Sequence, residues 1–416
     1  MTSQRKINIG VVGCGVVATA YYLPYLMRHA NLVAVCDSNE RRTAACQRLF
    51  GAKETYQDYF EMIRRADIEA VFILTGPGTH ARFTLAAVAA GKHVLIQKPM
   101  ATAMPDAHAI VDAVRKANVK CLVEPSSNSP LDPQYVQLRG LINAGAIGRP
   151  LWFTLVNSAP DRAGHPSLGG NPYGLHAFYS AESGGFLFDF PYAPSEIVTL
   201  LGNCKSVSGA GAIAVAERMI VPESEYDSFL DSATNPDDAN YWDIVLKLPR
   251  TERVTLGAED HVFSTYEMAS GAVGVFHAAR HFHPMPPGRA HGGLEIYGSD
   301  GNVVMGGGYF ASVSSARANV LPSVDETGWH RLPVVGDVSK AVWPKPLPGG
   351  FNYYHASSQH MLDCIVNDHD PAVNVEWGRH ITEMMCGAIE SSRTGRRYEM
   401  TTTLTGMAHE QYTRDS

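Results

Sequence analysis

The stretch KINIGVVGCGVVA, Lys6–Ala18, decides the fold. It opens with a short apolar run of strand character and passes at once into a GxGxxA turn; Thr19–His29 then has helical composition. In a strand–turn–helix unit of this kind Gly13 permits the tight turn. Gly15, with the amides of Val16 and Val17 beside it, lets the backbone approach a pyrophosphate, and Ala18 keeps helix and strand close. A glycine turn alone is weak evidence, so its surroundings matter. The next apolar run, LVAVCD, ends in Asp37, about 20 residues beyond Gly15, where an acidic side chain meets the adenosine ribose hydroxyls. Asp37 repels a 2′-phosphate and favours NAD over NADP. Arg41 and Arg42 follow, and a guanidinium there either stacks on adenine or binds that phosphate.

The alternation continues through AVFILT, a helix over Thr79–Gly91, HVLI, a helix over Asp106–Asn118, and VKCLVE. Strands and helices in strict succession predict an α/β, doubly wound parallel sheet with its ligand outside the carboxyl ends of the strands. Asp37, Thr75 and Lys98 all fall at such ends. Lys98 follows the buried-strand run HVLI and precedes Pro99. An unpaired ammonium is rarely accepted inside such a sheet, so Lys98 emerges from a strand tip into the ligand crevice. Pro99 stops the strand and suits a fixed turn, including a cis peptide.

At 416 residues, 45% hydrophobic and 18% charged, the chain has the composition of a core-forming protein and is too long for one ordinary domain. The expected division is a dinucleotide-binding domain over residues 1–124 and an α+β domain over 125–416, with EPSSNSPLDP at the boundary. The net charge of -7 is dispersed, so no basic stripe invites nucleic acid and no polybasic patch invites a membrane. With no apolar segment of bilayer length, the expectation is a cytoplasmic protein that takes a small soluble ligand. Seven cysteines without CxxC spacing read as reduced structural thiols.

GVVGCGVVA, then ILTGPGTH and AAGKHVLIQKPMA, resemble the nucleotide-binding half of the Gfo/Idh/MocA oxidoreductases. The resemblance extends along the chain through IGRP and SSRTGRR, and the KP element with its upstream TH turn is its most specific part. It implies a Rossmann domain followed by a large open sheet with helices on one face, and it adds Gly76, His80 and Gln97 to the expected cofactor contacts. Two departures stand out: Gln97 replaces the usual glutamate, and Gly76 stands where proline is common.

Beyond Glu124, runs such as LWFTLVN, WDIVLKL, VFSTYEM and GLEIYGSDGNVVM alternate with period two and predict mainly antiparallel strands. Two polar insertions, near Val215–Asn240 and Ser314–Gly350, are expected to shape a pocket or a subunit contact. The decisive segment is ESGGFLFDFPYAPSEIVTLLG, residues 182–202. Read as glycines entering a helix, it places Asp189 and Tyr192 on one face. The family shows a histidine or tyrosine four residues after the aspartate; here that position is Ala193, and Tyr192 is the nearest match.

Oxidising an alcohol carbon needs a base for the hydroxyl proton and positive charge near the developing alkoxide. Lys98 supplies the charge, Asp189 holds a neighbouring hydroxyl, and Tyr192 is the expected base. Its phenol must then fall from about 10 to about 7, worth roughly 4 kcal/mol, through the adjacent ammonium. Each assignment has a structural rival: a surface lysine, a helix-capping carboxylate and an ordinary core tyrosine. His80 fits helix capping or cofactor contact better than acid–base work. His165 and His176 are rival bases, with His176 also a candidate substrate contact. The histidines 277, 281, 283 and 291 lack the carboxylate or cysteine partners of a metal site, and none is expected.

These residues imply an oxidoreductase moving hydride between NAD and a secondary hydroxyl of a sugar, glycoside or cyclic polyol. The alternatives are a glycoside-cleaving enzyme that uses tightly bound NAD for transient oxidation and elimination, and a non-catalytic nucleotide-binding sensor. A homodimer or homotetramer through the open sheet is expected.

Overall fold

A computed structural model describes residues 5–125, 128–160, 180–235, 249–281, 292–306, 310–316, 321, 328–332 and 353–405. The expected strand at 242–248 and most of the 314–350 insertion lie outside them.

Six parallel strands, β1 Asn8–Val12, β2 Asn31–Cys36, β3 Glu54–Tyr56, β4 Ala70–Ile73, β5 His93–Ile96 and β6 Cys121–Val123, form a sheet of order β3-β2-β1-β4-β5-β6. Successive residues point to opposite faces, and both faces are covered. Ile9, Val11, Phe72 and Leu95 enter one core, while Val12, Val71, Ile73 and Val94 enter the other. This is why the strands read as continuous apolar runs. The order reverses between β1 and β4, so the crevice opens at their carboxyl ends.

The second sheet gathers β7 Pro150–Pro160, β8 Cys204–Ala212, β11 His261–Met268, β12 Val273–His281, β13 Gly292–Gly298, β14 Gly301–Gly306, β15 Phe310–Ser315, β16 Trp329–Arg331 and β17 Tyr398–Glu399. Its order is β16-β15-β14-β13-β7-β12-β11-β8-β17, antiparallel except for β7 beside β12. Strands β9 Glu217–Ile220 and β10 Glu252–Thr255 form a separate hairpin pair. The period-two reading holds in β11, where buried Val262, Ser264 and Tyr266 alternate with outward Phe263 and Thr265. Helix Val375–Thr394 crosses the inner face so closely that a Cβ on Gly209 would lie 2.1 Å from the Ala388 carbonyl oxygen. The same helix reaches the first sheet, where its Glu376 pairs with Arg115 of helix Met104–Ala117.

The outer face keeps Trp152, Val156, Phe263, Val273 and Val275 exposed. Trp152 stacks on Tyr297 and Phe263 on His277 across neighbouring strands. All seven cysteines are unbridged. Among the described residues no helix is long and apolar enough to cross a membrane.

One buried group makes this packing pH-sensitive. His380 accepts the Cys204 amide at Nε2 (3.1 Å), so its proton sits on Nδ1 and is donated to Thr402 Oγ1 (2.8 Å). Burial pushes its pKa down to about 4, and the imidazole stays neutral. A depressed histidine contributes stability that is complete above the unfolded pKa of about 6.5 and is lost as pH falls toward 4. The loss expected from this group is about 3 kcal/mol. Urea denaturation of the protein and of His380→Gln at pH 7 and pH 4.5 checks it: the substitution should flatten the pH dependence.

Candidate active site

The glycine turn is sterically determined. Gly13 has φ of +92°, and a Cβ there would lie 2.7 Å from the Leu74 carbonyl carbon and oxygen at the end of β4. Past it the chain is helical, with a π-helical turn at Ala18–Tyr22 inside the first helix. Among the described residues no protein acceptor takes the amides of Gly15, Val16 and Val17. They form an open helix N-terminus suited to a pyrophosphate. Asp37 closes the turn from β2, accepting the Cys14 amide at 2.8 Å and the Asn39 amide at 2.9 Å. Gly76 caps helix Pro77–Ala89 without a side-chain bond, with open space where a Cβ would be. Thr75 and Thr79 join through their hydroxyls at 2.6 Å. These features fit a dinucleotide laid across the tips of β1, β2 and β4.

Two of the expected contacts sit elsewhere. Arg42 is buried, with Nε 2.6 Å from Asp227 Oδ1 and a terminal nitrogen 3.0 Å from Glu223 Oε2, so carboxylates of the second half occupy its guanidinium. The insertion that carries them packs on the first domain's helix Glu40–Phe50. His80 is wholly buried between the Pro99 carbonyl (2.7 Å) and the Thr75 carbonyl (2.9 Å). Burial lowers its pKa. It braces the Thr75 turn against the lysine turn.

Lys98 emerges from β5 with a cis bond to Pro99. Its Nζ donates to Asp189 Oδ1 at 2.6 Å and lies 5.5 Å from the Tyr192 ring centroid. Asp189 and Tyr192 do not share a helix. Gly184 and Gly185, both at positive φ, lead into a 3-10 turn, Phe186–Asp189, and the α-helix starts only at Tyr192. Lys98 therefore brings the two together from outside. The expected lowering of the Tyr192 phenol is overturned: burial, with Asp189 second, pushes its pKa well above the ordinary value. The ammonium faces the ring, and the hydroxyl keeps its proton. His165 and His176 lie outside the described residues, as do His283 and His291. Among the described residues no cluster of three or more histidines, cysteines or carboxylates is arranged to hold a metal.

Glu124, at the tip of β6, was missed, although its EP dipeptide repeats the strand-tip KP pattern. Buried Gln97 donates to the Tyr22 hydroxyl (2.8 Å), and Tyr22 donates to Glu124 Oε1 (2.8 Å). Gln97 Oε1 then accepts the Lys98 amide (2.8 Å). This explains the departure at 97. Tyr22 has one proton, and Glu124 takes it, so residue 97 must be a donor, which a carboxylate is not.

This arrangement defines a two-part protein: a dinucleotide-binding parallel sheet whose strand-tip lysine is met by a carboxylate of a second, mainly antiparallel sheet. Residues 7–124 match the model of the oxidoreductase family with an NAD-binding Rossmann fold, and residues 135–304 match the GFO/IDH/MocA C-terminal domain. The chain belongs to the Gfo/Idh/MocA oxidoreductase family, and residues 7–124 form its NAD-binding domain. It is 32% identical over 162 residues to inositol 2-dehydrogenase 2 of Saccharopolyspora erythraea, covering 38% of this chain and 47% of that one. To inositol 2-dehydrogenase of Azotobacter vinelandii it is 36% identical over 148 residues, covering 35% and 44%. The match thus spans about half the length of these curated relatives. In fold it is similar to levoglucosan dehydrogenase in complex with NADH and levoglucosan, with TM-score 0.73 at 21% identity, covering 96% of this chain and 100% of that one. Aldose-aldose oxidoreductase from Caulobacter crescentus gives 0.66 at 18%, covering 95% and 100%.

The Gln97 explanation is testable as a proton count. Gln97→Glu should cost about 1–3 kcal/mol by opposing two acceptors across Tyr22, and Glu124→Gln in the same chain should restore much of it. A double-mutant cycle in urea measures the coupling.

Proposed function

We propose that this chain is an NAD-dependent dehydrogenase acting on a secondary hydroxyl of a sugar, glycoside or cyclic polyol. The observation that carries the reading is the 2.6 Å Lys98–Asp189 pair, mostly shielded from solvent, at the mouth of the dinucleotide crevice. The names of the inositol and levoglucosan dehydrogenases support the same substrate class. The pairing also favours a neutral substrate: Asp189 already compensates Lys98, and an anionic substrate would add unbalanced charge.

Bound NAD supplies the hydride acceptor, and the protein supplies orientation and proton handling. Lys98 holds the reacting oxygen and stabilises negative charge as the hydroxyl proton departs. Asp189 accepts the hydroxyl proton, its carboxylate becoming the neutral acid as the hydride leaves the carbon for NAD, and later returns that proton to solvent. Tyr192, its phenol protonated, donates a hydrogen bond to the substrate. Gln97 and His80 fix the lysine turn through the Lys98 amide and the Pro99 carbonyl. The exposed apolar face of the second sheet supports a homodimer or homotetramer assembled through it.

Lys98→Met and Asp189→Asn should each lower kcat on the order of 10²–10⁴-fold while NADH binding persists. The assay is NAD reduction across a panel of inositols, aldoses, anhydrosugars and glycosides. Full turnover in the Lys98→Met protein would overturn the reading, and glycoside cleavage without net NAD reduction would replace it with the elimination route. Tyr192→Phe separates donor from base: a donor role predicts a loss of about tenfold with an unchanged pH profile, whereas a base predicts on the order of 10³-fold or more.

A further inference from the structure

Helix Glu223–Ser232 comes from an insertion in the second half of the chain, yet it packs along the loop that follows β2. Asn39 joins that loop to the helix, its amide donating to Asp37 Oδ1 at 2.9 Å and its Nδ2 to Asp227 Oδ2 at 2.8 Å. The carboxylate facing the ribose and the carboxylate of the inserted helix thus share one residue. Arg42, in the first turn after the loop, has its Nε 2.6 Å from Asp227, a terminal nitrogen 3.0 Å from Glu223, and its guanidinium carbon 5.2 Å from the Tyr226 ring centroid. The Tyr226 hydroxyl donates to the Cys14 carbonyl (3.1 Å) and lies 3.1 Å from Thr19 Oγ1, so the helix also reads the glycine turn. Arg48 anchors its far end through the Leu230 carbonyl at 2.9 Å.

An arginine just beyond this strand end is what accommodates the 2′-phosphate of NADP. We propose that Asp227 and Glu223 are cofactor-selecting residues, which capture Arg42 and so deny a 2′-phosphate its counter-charge. The selection has two parts. Asp37 repels the extra phosphate from the sheet, and the inserted helix removes the cation that would offset the repulsion. Arg42 and Asp227 are 6% and 7% exposed, so solvent and salt screen the capture weakly. The neighbouring Arg41–Asp231 pair lies in water and contributes little. The inference rests on the NAD reading of the first domain but not on the substrate.

Titration of NADH and NADPH, followed by nicotinamide fluorescence, tests it without turnover. The unmodified protein should favour NADH. Asp227→Asn with Glu223→Gln should raise NADPH affinity about tenfold, a change of about 1.4 kcal/mol, and adding Arg42→Ala should abolish the gain. Arg42→Ala alone should not raise NADPH affinity and should lower it, because the guanidinium is already committed and its loss leaves Asp227 and Glu223 uncompensated. Glu223 is exposed, and Glu223→Gln alone, which leaves the buried pair intact, should give a smaller gain in a fully folded protein. The proposal falls if NADPH affinity is unchanged in the double variant while its thermal midpoint is retained, or if the gain survives loss of Arg42. Failure of the unmodified protein to bind NADH would overturn the dinucleotide reading, and the inference with it.

Discussion

A lysine at the tip of a covered parallel strand constrains everything around it. The Lys98 side chain is only 13% exposed and that of Asp189 19%, so neither charge is well solvated and each needs the other. Because the lysine belongs to β5 and the aspartate to the turn before helix Tyr192–Leu201, satisfying that need fixes the second half of the chain over the crevice. Around the pair the backbone is held twice more, by Gln97 on the Lys98 amide and by His80 on the Pro99 carbonyl. In the mechanism proposed, a cation placed this firmly meets the substrate oxygen without first reorganising, which is where electrostatic stabilisation is largest.

The sequence displayed the first sheet because strands buried on both faces leave uninterrupted apolar runs, and glycine turns sit where the backbone crowds. Gly13 shows this directly: its Cβ site lies against Leu74, so the residue type follows from a contact between β1 and β4. Lys98 was legible for the converse reason, being a charge where the pattern forbids one. Tyr192 was not. Whether an ammonium lowers a phenol depends on whether it meets the hydroxyl or the ring, and on the burial of the oxygen. Spacing encodes neither. The one-face reading of Asp189 and Tyr192 failed because two positive-φ glycines begin a short 3-10 turn, and the α-helix starts three residues after Asp189.

The insertion at Val215–Asn240 shows a second limit. Its helix ESEYDSFLDS is polar on most sides, and that pattern suits a pocket wall or a subunit contact without naming the surface it meets. Three of its acidic residues meet arginines of the first domain, Glu223 and Asp227 at Arg42 and Asp231 at Arg41, while Arg48 takes its backbone carbonyls. Complementary charge between segments nearly two hundred residues apart is invisible to any local pattern. It becomes readable only when Arg42 is asked where, in a buried position, its charge is balanced.

The same accounting extends to the neutral groups. At the lysine end of the crevice, Gln97 and Tyr22 pass hydrogen bonds in one direction, from amide to hydroxyl to Glu124, and Tyr192 retains its proton under burial. Glu124 thereby receives its hydrogen bond from a phenol. A glutamate at 97 beside Glu124 would bring a further carboxylate to this strand edge. Substituting glutamine keeps the geometry of the lysine turn while leaving Lys98 with Asp189 as its carboxylate, so the departure at 97 and the buried carboxylate at 124 are one adaptation.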